Sequence, residues 1–113
     1  MPFPLPLPGS LKTQGLHGYN ALDFSAAYGT PVVASAAGDV IVVRNGGWNG
    51  GYGNYMVIRH GNGTQTLYSH TSQNIAYAGQ SVVQGQVIGY VGSSGRATGP
   101  HLHFEVRGAW NPF

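Results

Sequence analysis

Cysteine is absent from the 113 residues, and its absence removes disulfide bridges, thiolate metal sites and thiol nucleophiles together. Charge is nearly as scarce. Only 7% of residues are Asp, Glu, Lys or Arg, and the five basic ones, Lys12, Arg44, Arg59, Arg96 and Arg107, are scattered along the chain. With no basic run there is no footprint for nucleic acid, so no nucleic-acid partner is expected. No apolar stretch is long enough to cross a bilayer, so no membrane span is expected. The opening MPFPLPLPGS is broken by prolines and lacks the basic and cleavage segments of a signal peptide. No GxSxG occurs, which removes the serine nucleophile elbow.

What is present points to a β protein. Hydrophobic residues make up 42% and aromatics 12%, and 19 glycines punctuate short runs rich in β-branched residues: PVVASAAGDVIVVR, NYMVIRHG, TQTLYSH, QSVVQGQVIGYVG and HLHFEVRG. The pattern predicts an all-β antiparallel fold with little or no helix. A single domain over residues 1–113 suits the length, with residues 1–10 as a proline-rich extended strap. Gly61-Asn62-Gly63 tolerates the positive φ of a tight turn and predicts a hairpin over residues 54–70. Residues 71–78 come nearest to a helix but are too short to matter. The glycine-rich residues 46–53, carrying Trp48 and Tyr52, read as an exposed loop able to wall a cleft.

Groups able to bind metal or move protons are few: five histidines, at 17, 60, 70, 101 and 103, and three acids, Asp23, Asp39 and Glu105. In HLHFE the strand period of two sends His101, His103 and Glu105 to one face and Leu102, Phe104 and Val106 to the other. One face is apolar; the other is a ligand set. Two such histidines are poorly placed to share one metal, so one binds while its neighbour points into the reaction site. Hydrolytic zinc takes about three His or carboxylate ligands, often remote in sequence, and His17, Asp23 and His103 supply such a set. His70, closing TLYSH, is left free for acid–base work.

These segments, in this order, resemble the lysostaphin/LytM family of zinc metallopeptidases, M23. The resemblance rests on LPLPGSLKTQGLHG, LDFSAAYGTPVVASAAGDV, GYGNYMVIRHGNGTQTLYSH, VVQGQVIGYVGSSGRATGPHLHFEV and the closing NPF. It implies a barrel-like antiparallel sandwich with a groove, one Zn²⁺, and hydrolysis of peptide bonds in bacterial peptidoglycan outside the cytoplasm by a monomer. It makes Asp23 and His103 metal ligands and places His70 and His101 in the catalytic centre. The family's first histidine commonly stands four residues before the aspartate, where this chain has Tyr19. His17, six residues before, takes that role if the two extra residues form a bulge; Asn20 is a weak donor beside imidazole and carboxylate.

Competing readings frame the assignment. A lone HxH is more often a structural pair; its flanking residues and the distant His17 and Asp23 favour chemistry here. Glu105 either orients a histidine as acceptor or pairs with Arg107 or Arg59. His60, beside the turn, reads as an ordinary exposed or turn-flanking histidine outside the site, Asp39 as a turn residue, and Arg96 as a loop residue able to touch substrate. The main rival function is a metal-free domain of the same fold that binds wall or activates a partner hydrolase. A second rival is a biotinyl or lipoyl carrier, suggested by VVQGQVIGYVG. It needs a lysine at a hairpin tip, and Lys12 is the chain's one lysine.

Overall fold

A computed structural model describes residues 11–12, 21–61, 63–95 and 99–108. The strap at 1–10, His17, Asn62 at the hairpin turn and Arg96 lie outside the described residues. Among the described residues ten strands follow in order: β1 (Leu11–Lys12), β2 (Ala21–Ser25), β3 (Pro31–Val33), β4 (Gly38–Arg44), β5 (Tyr55–Arg59), β6 (Gln65–Ser69), β7 (Thr71–Asn74), β8 (Ser81–Val82), β9 (Val87–Val91) and β10 (His101–Arg107). The sole helical piece among the described residues is a 3₁₀ turn at Asn49–Gly51.

The strands build two antiparallel sheets, one ordered β1-β2-β10-β6-β5-β4-β8 and the other β3-β9-β7. Alternation explains how they stack. Leu102, Phe104 and Val106 on β10, Phe24 on β2, and Met56 and Ile58 on β5 face Val32, Ile88 and Val91 of the small sheet in one buried cluster. Each fully buried side chain of this kind is worth about 1.5–3 kcal/mol, enough to fix the register of β10 while its other face carries polar groups. A slip by one residue would reverse the two faces.

The hairpin over residues 54–70 is present as β5 and β6, paired from Tyr55↔Ser69 to Arg59↔Gln65. Three expectations need correction. The run PVVASAAGDVIVVR divides into β3 and β4, which belong to different sheets, because Ser35 and Ala36 bend the chain between them. Asp39 lies within β4 opposite Arg59, not in a turn. Residues 71–74 form strand β7, whose pairing with β9 supplies the hydrogen bonds that local sequence could not announce.

Candidate active site

Directly opposed residues of an antiparallel pair point to the same side of the sheet. His103 of β10 stands opposite Asp23 of β2 on one flank and Ser69 of β6 on the other, and Ser69 in turn opposes Tyr55 of β5. The polar row therefore lies on the face of the large sheet turned away from the core. Strand pairing alone brings together residues 80 positions apart: Asp23 Oδ1 is 3.0 Å from His103 Nδ1.

His70 reaches the same face by a different device. It joins β6 to β7 with φ of +65°, a left-handed conformation that costs a bulky residue on the order of 1–3 kcal/mol. The surroundings hold it there. Its N–H donates to Tyr52 O at 3.0 Å, its carbonyl accepts from Gly92 N–H at 3.1 Å, and its Nδ1–H donates to Ser94 O at 2.7 Å. The loops supplying Tyr52 and Ser94 lock together at Gly53 and Gly95, both at positive φ, where a Cβ on either would collide with the other's backbone. Asn54 anchors the base, accepting from Gly46 N–H at 2.6 Å and donating to Thr71 O at 2.9 Å.

Three imidazoles thus converge, with ring centroids 4.7 Å apart for His70 and His101 and 6.0 Å for His70 and His103. Their nitrogens are assigned by their partners. A carbonyl oxygen only accepts, so His70 and His101, bonded through Nδ1 to Ser94 O and to Gly99 O at 2.9 Å, carry their proton on Nδ1 and leave Nε2 as the basic atom. His101 Nε2 stands 3.8 Å from Asp23 Oδ1. Burial lowers the pKa of His70, outweighing the Ser94 hydrogen bond, so its neutral form prevails at pH 7.

His103 has the opposite polarity. Its Nε2 donates to Glu105 Oε2 at 2.8 Å while Nδ1 faces Asp23. Burial works to lower its pKa, but the hydrogen bonds and charges of Asp23 and Glu105 prevail and raise it to about 9. The ring is flanked by two carboxylates, and the point between Nδ1 and Asp23 attracts positive charge. Glu105 is 1% exposed and would be costly there without partners. It has them: Tyr52 Oη–H donates to Oε2 at 2.7 Å, and Arg107 Nε–H and Nη2–H approach Oε1 at 3.2 and 3.1 Å. Burial would raise its pKa, yet the bonds from His103 and Tyr52 and the charges of His103 and Arg107 hold it below the usual carboxylate range. Burial, with Glu105 as acceptor and as charge, pushes Tyr52 up to about 12, so the phenol stays a donor.

The donor set suits a divalent cation. Two ligands at about 2.0–2.2 Å from a tetrahedral zinc stand roughly 3.4 Å from each other, and the 3.0 Å between His103 Nδ1 and Asp23 Oδ1 is close to that span. A metal there would displace the Nδ1 proton, as binding to imidazole requires. Among the described residues no three ligating side chains form a complete cage; His17 lies outside them.

The structure thus gathers Asp23, His70, His101 and His103 at one place on the sheet. Glu105, for which two roles stood open, fills both, with Arg107 as its ionic partner. His60 is corrected: it is 6% exposed, and both ring nitrogens are engaged, Nδ1 with Ala37 O at 2.7 Å and Nε2 with Thr66 Oγ1 at 2.9 Å. It remains apart from the site, as a buried structural residue. Trp48 is exposed in its loop as expected, whereas Tyr52 turns inward to Glu105. Ser94 belongs to the site although the sequence pattern does not mark it, and Tyr52, expected as a cleft-wall aromatic, and Arg107, expected as a possible partner of Glu105, both meet that carboxylate. The glycines beside Tyr52 and Ser94 are the available signal, since they permit the close approach of two loops.

The sequence profile of Peptidase family M23 matches residues 17–113. The DD-carboxypeptidase/endopeptidase Mpg of Neisseria meningitidis is 52% identical over 97 residues, covering 86% of this chain and 21% of that protein. The peptidoglycan DD-endopeptidase ShyA of Vibrio cholerae is 47% identical over 88 residues, 78% of this chain and 20% of that one. The chain thus spans about a fifth of the length of these curated relatives. Among solved structures, a zinc-containing peptidase from Vibrio cholerae superposes with a TM-score of 0.82 at 36% identity, covering 95% of this chain and 37% of the other. Lysostaphin from Staphylococcus simulans gives 0.78 at 34% identity, with 92% and 44% covered. With the profile spanning all but the first sixteen residues and the fold shared at this level, the chain belongs to Peptidase family M23.

Proposed function

We propose that this domain is a zinc-dependent endopeptidase that hydrolyses peptide bonds in bacterial peptidoglycan, acting outside the cytoplasm. The observation that carries the reading is the split polarity of the three histidines: His103 turns Nδ1 toward Asp23, while His70 and His101 each keep a basic Nε2. In this reading Asp23, His103 and His17 hold the metal. Zinc, when bound, lowers the pKa of water toward ~7 and polarises the scissile carbonyl. The chain's own residues do the rest. Nε2 of His70 or His101 accepts the proton of the attacking water and returns it to the leaving amine, and the neighbouring ring, when it carries a second proton on Nε2, donates that N–H to the developing oxyanion. His70 suits the accepting role because burial keeps it neutral at pH 7.

The relatives are named for DD-type cleavage, which favours the cross-link between stem peptides over a glycine bridge as the bond cut here. A metal-free wall-binding domain is the rival. Such a domain has no need for two imidazoles that each keep a basic Nε2 and whose ring centroids lie 4.7 Å apart.

The test is zinc content by elemental analysis together with release of peptide ends from purified peptidoglycan, for the wild type and His101→Ala. About one zinc in both proteins, with hydrolysis in the wild type alone, is expected. A zinc-free, inactive wild type would overturn the reading in favour of the binding domain, and loss of zinc from His101→Ala would move His101 into the ligand set. Stem-peptide dimers and glycine-bridged substrates, offered separately, distinguish the bond.

A further inference from the structure

The glycine-rich loop at residues 46–53 touches the active site at two atoms of one residue. Tyr52 Oη–H donates to Glu105 Oε2 at 2.7 Å, and Glu105 Oε2 is the atom that accepts from His103 Nε2 at 2.8 Å. The backbone carbonyl of the same tyrosine accepts from His70 N–H at 3.0 Å, helping to hold the left-handed backbone of that residue. The ring stacks at the site, its centroid 6.0 Å from that of His103 and 5.4 Å from that of Tyr55. Arg107 closes the network, with Nη2–H donating to Tyr52 Oη at 3.3 Å while the guanidinium pairs with Glu105 Oε1.

We infer that Tyr52 is a positioning residue for the metal ligand His103, acting through Glu105, and that residues 46–53 are thereby part of the metal centre and not merely a wall beside it. The inference rests on the zinc reading given above. An imidazole that binds metal through Nδ1 must carry its proton on Nε2, and an acceptor fixed at Nε2 sets both the tautomer and the ring plane. Glu105 is that acceptor, but a carboxylate has two oxygens and a rotatable terminal torsion. Donors on both oxygens fix it: Arg107 on Oε1, Tyr52 on Oε2. Tyr52 is the donor that shares an oxygen with His103, so its hydroxyl decides where that oxygen sits.

The position of Tyr52 is itself set by backbone. Gly53 follows it at φ of +64° and packs against the loop at Gly95 without room for a Cβ, so the loop has little freedom to withdraw the phenol. Removing the hydroxyl while keeping the ring isolates the effect. Tyr52→Phe preserves the stacking on Tyr55 and His103 and deletes the donor.

The experiment measures zinc affinity by competition with a chromophoric chelator, and the d–d absorption of the cobalt(II)-substituted protein, for the wild type, Tyr52→Phe, Glu105→Gln and the double variant. Loss of a partner that orients a metal ligand weakens binding about 10–100-fold. Tyr52→Phe is expected at the lower end, about 10-fold, with an altered cobalt spectrum; because the hydroxyl also satisfies the buried Glu105 carboxylate, the metal-free form should melt lower as well, and it is the cobalt spectrum of the folded protein, which a role in folding alone would leave unchanged, that carries the test. In the double variant, Tyr52→Phe should add little beyond Glu105→Gln, because it acts through that carboxylate. Wild-type zinc affinity and an unaltered cobalt spectrum in Tyr52→Phe overturn the inference and leave the peptidase reading standing, as does full additivity in the double variant. A wild type that binds no zinc overturns both. If Glu105→Gln fails to fold, Tyr52→Phe alone still decides.

Discussion

Two histidine networks, each with one histidine 6% exposed, lie at opposite ends of the β5–β6 hairpin, and only one is arranged for chemistry. At the far end, beside the Arg59↔Gln65 pair, His60 spends both ring nitrogens on neutral protein groups, Ala37 O and Thr66 Oγ1. Thr66 continues to Tyr68 Oη at 2.8 Å and on to Ser35 at 3.1 Å. The chain of bonds is closed. At the near end, about 20 Å away along the strand, His70 and His101 each spend one nitrogen on a backbone carbonyl, and His103 lies between two carboxylates. Burial is therefore a poor guide to function among these histidines. What separates the two ends is the number of ring nitrogens left for a substrate or a metal, and whether fixed negative charge stands nearby to attract a cation.

The sharpest way to break that contrast is to remove the charge. Asp23→Ala should lose zinc by elemental analysis and lose at least about 10³-fold in release of peptide ends, since a Lewis acid is worth several kcal/mol at the transition state. A zinc-loaded, active Asp23→Ala would mean that the carboxylate facing His103 is not a ligand. A smaller loss, about 10²-fold with zinc retained, is expected of His70→Asn. Asparagine tolerates the left-handed backbone at this position, so the melting temperature should hold within a few degrees. Unfolding of that variant would make the site a structural knot.

His60→Ala should show the reverse pattern. It strands the Ala37 carbonyl and shortens the Thr66–Tyr68 chain, and so should cost about 2–3 kcal/mol in urea unfolding, while specific activity of the folded protein stays within about twofold of wild type. A stable but inactive His60→Ala would join the two ends into one functional unit and dissolve the comparison.

Much of the near end is legible in the order of its residues. Period-two alternation in HLHFE separates the ligand face from Leu102, Phe104 and Val106, and the core forms where that alternation places it. The hairpin announced by Gly61-Asn62-Gly63 puts His70 at its close. Legibility fails where partners are remote. His60 reads as exposed because it follows a strand and precedes a glycine turn; its burial depends on Ala37, which β4 brings alongside. Tyr52 reads as one more loop aromatic, and its hydroxyl meets Glu105 across 53 positions of sequence. Residues 71–74 lack a strand's composition and become one by pairing with β9.

Local rules acting over a few residues are thus enough to determine the all-β class, the two faces of β10 and the residue types able to hold metal and carry protons, because side-chain alternation and turn chemistry are written into neighbouring positions. Which histidines work together is a different kind of fact. It depends on strand register between β2 and β10, on the left-handed turn at His70 and on two loops meeting at Gly53 and Gly95. Those are contacts between distant segments, selected by packing of the whole core, and only the tertiary structure decides them.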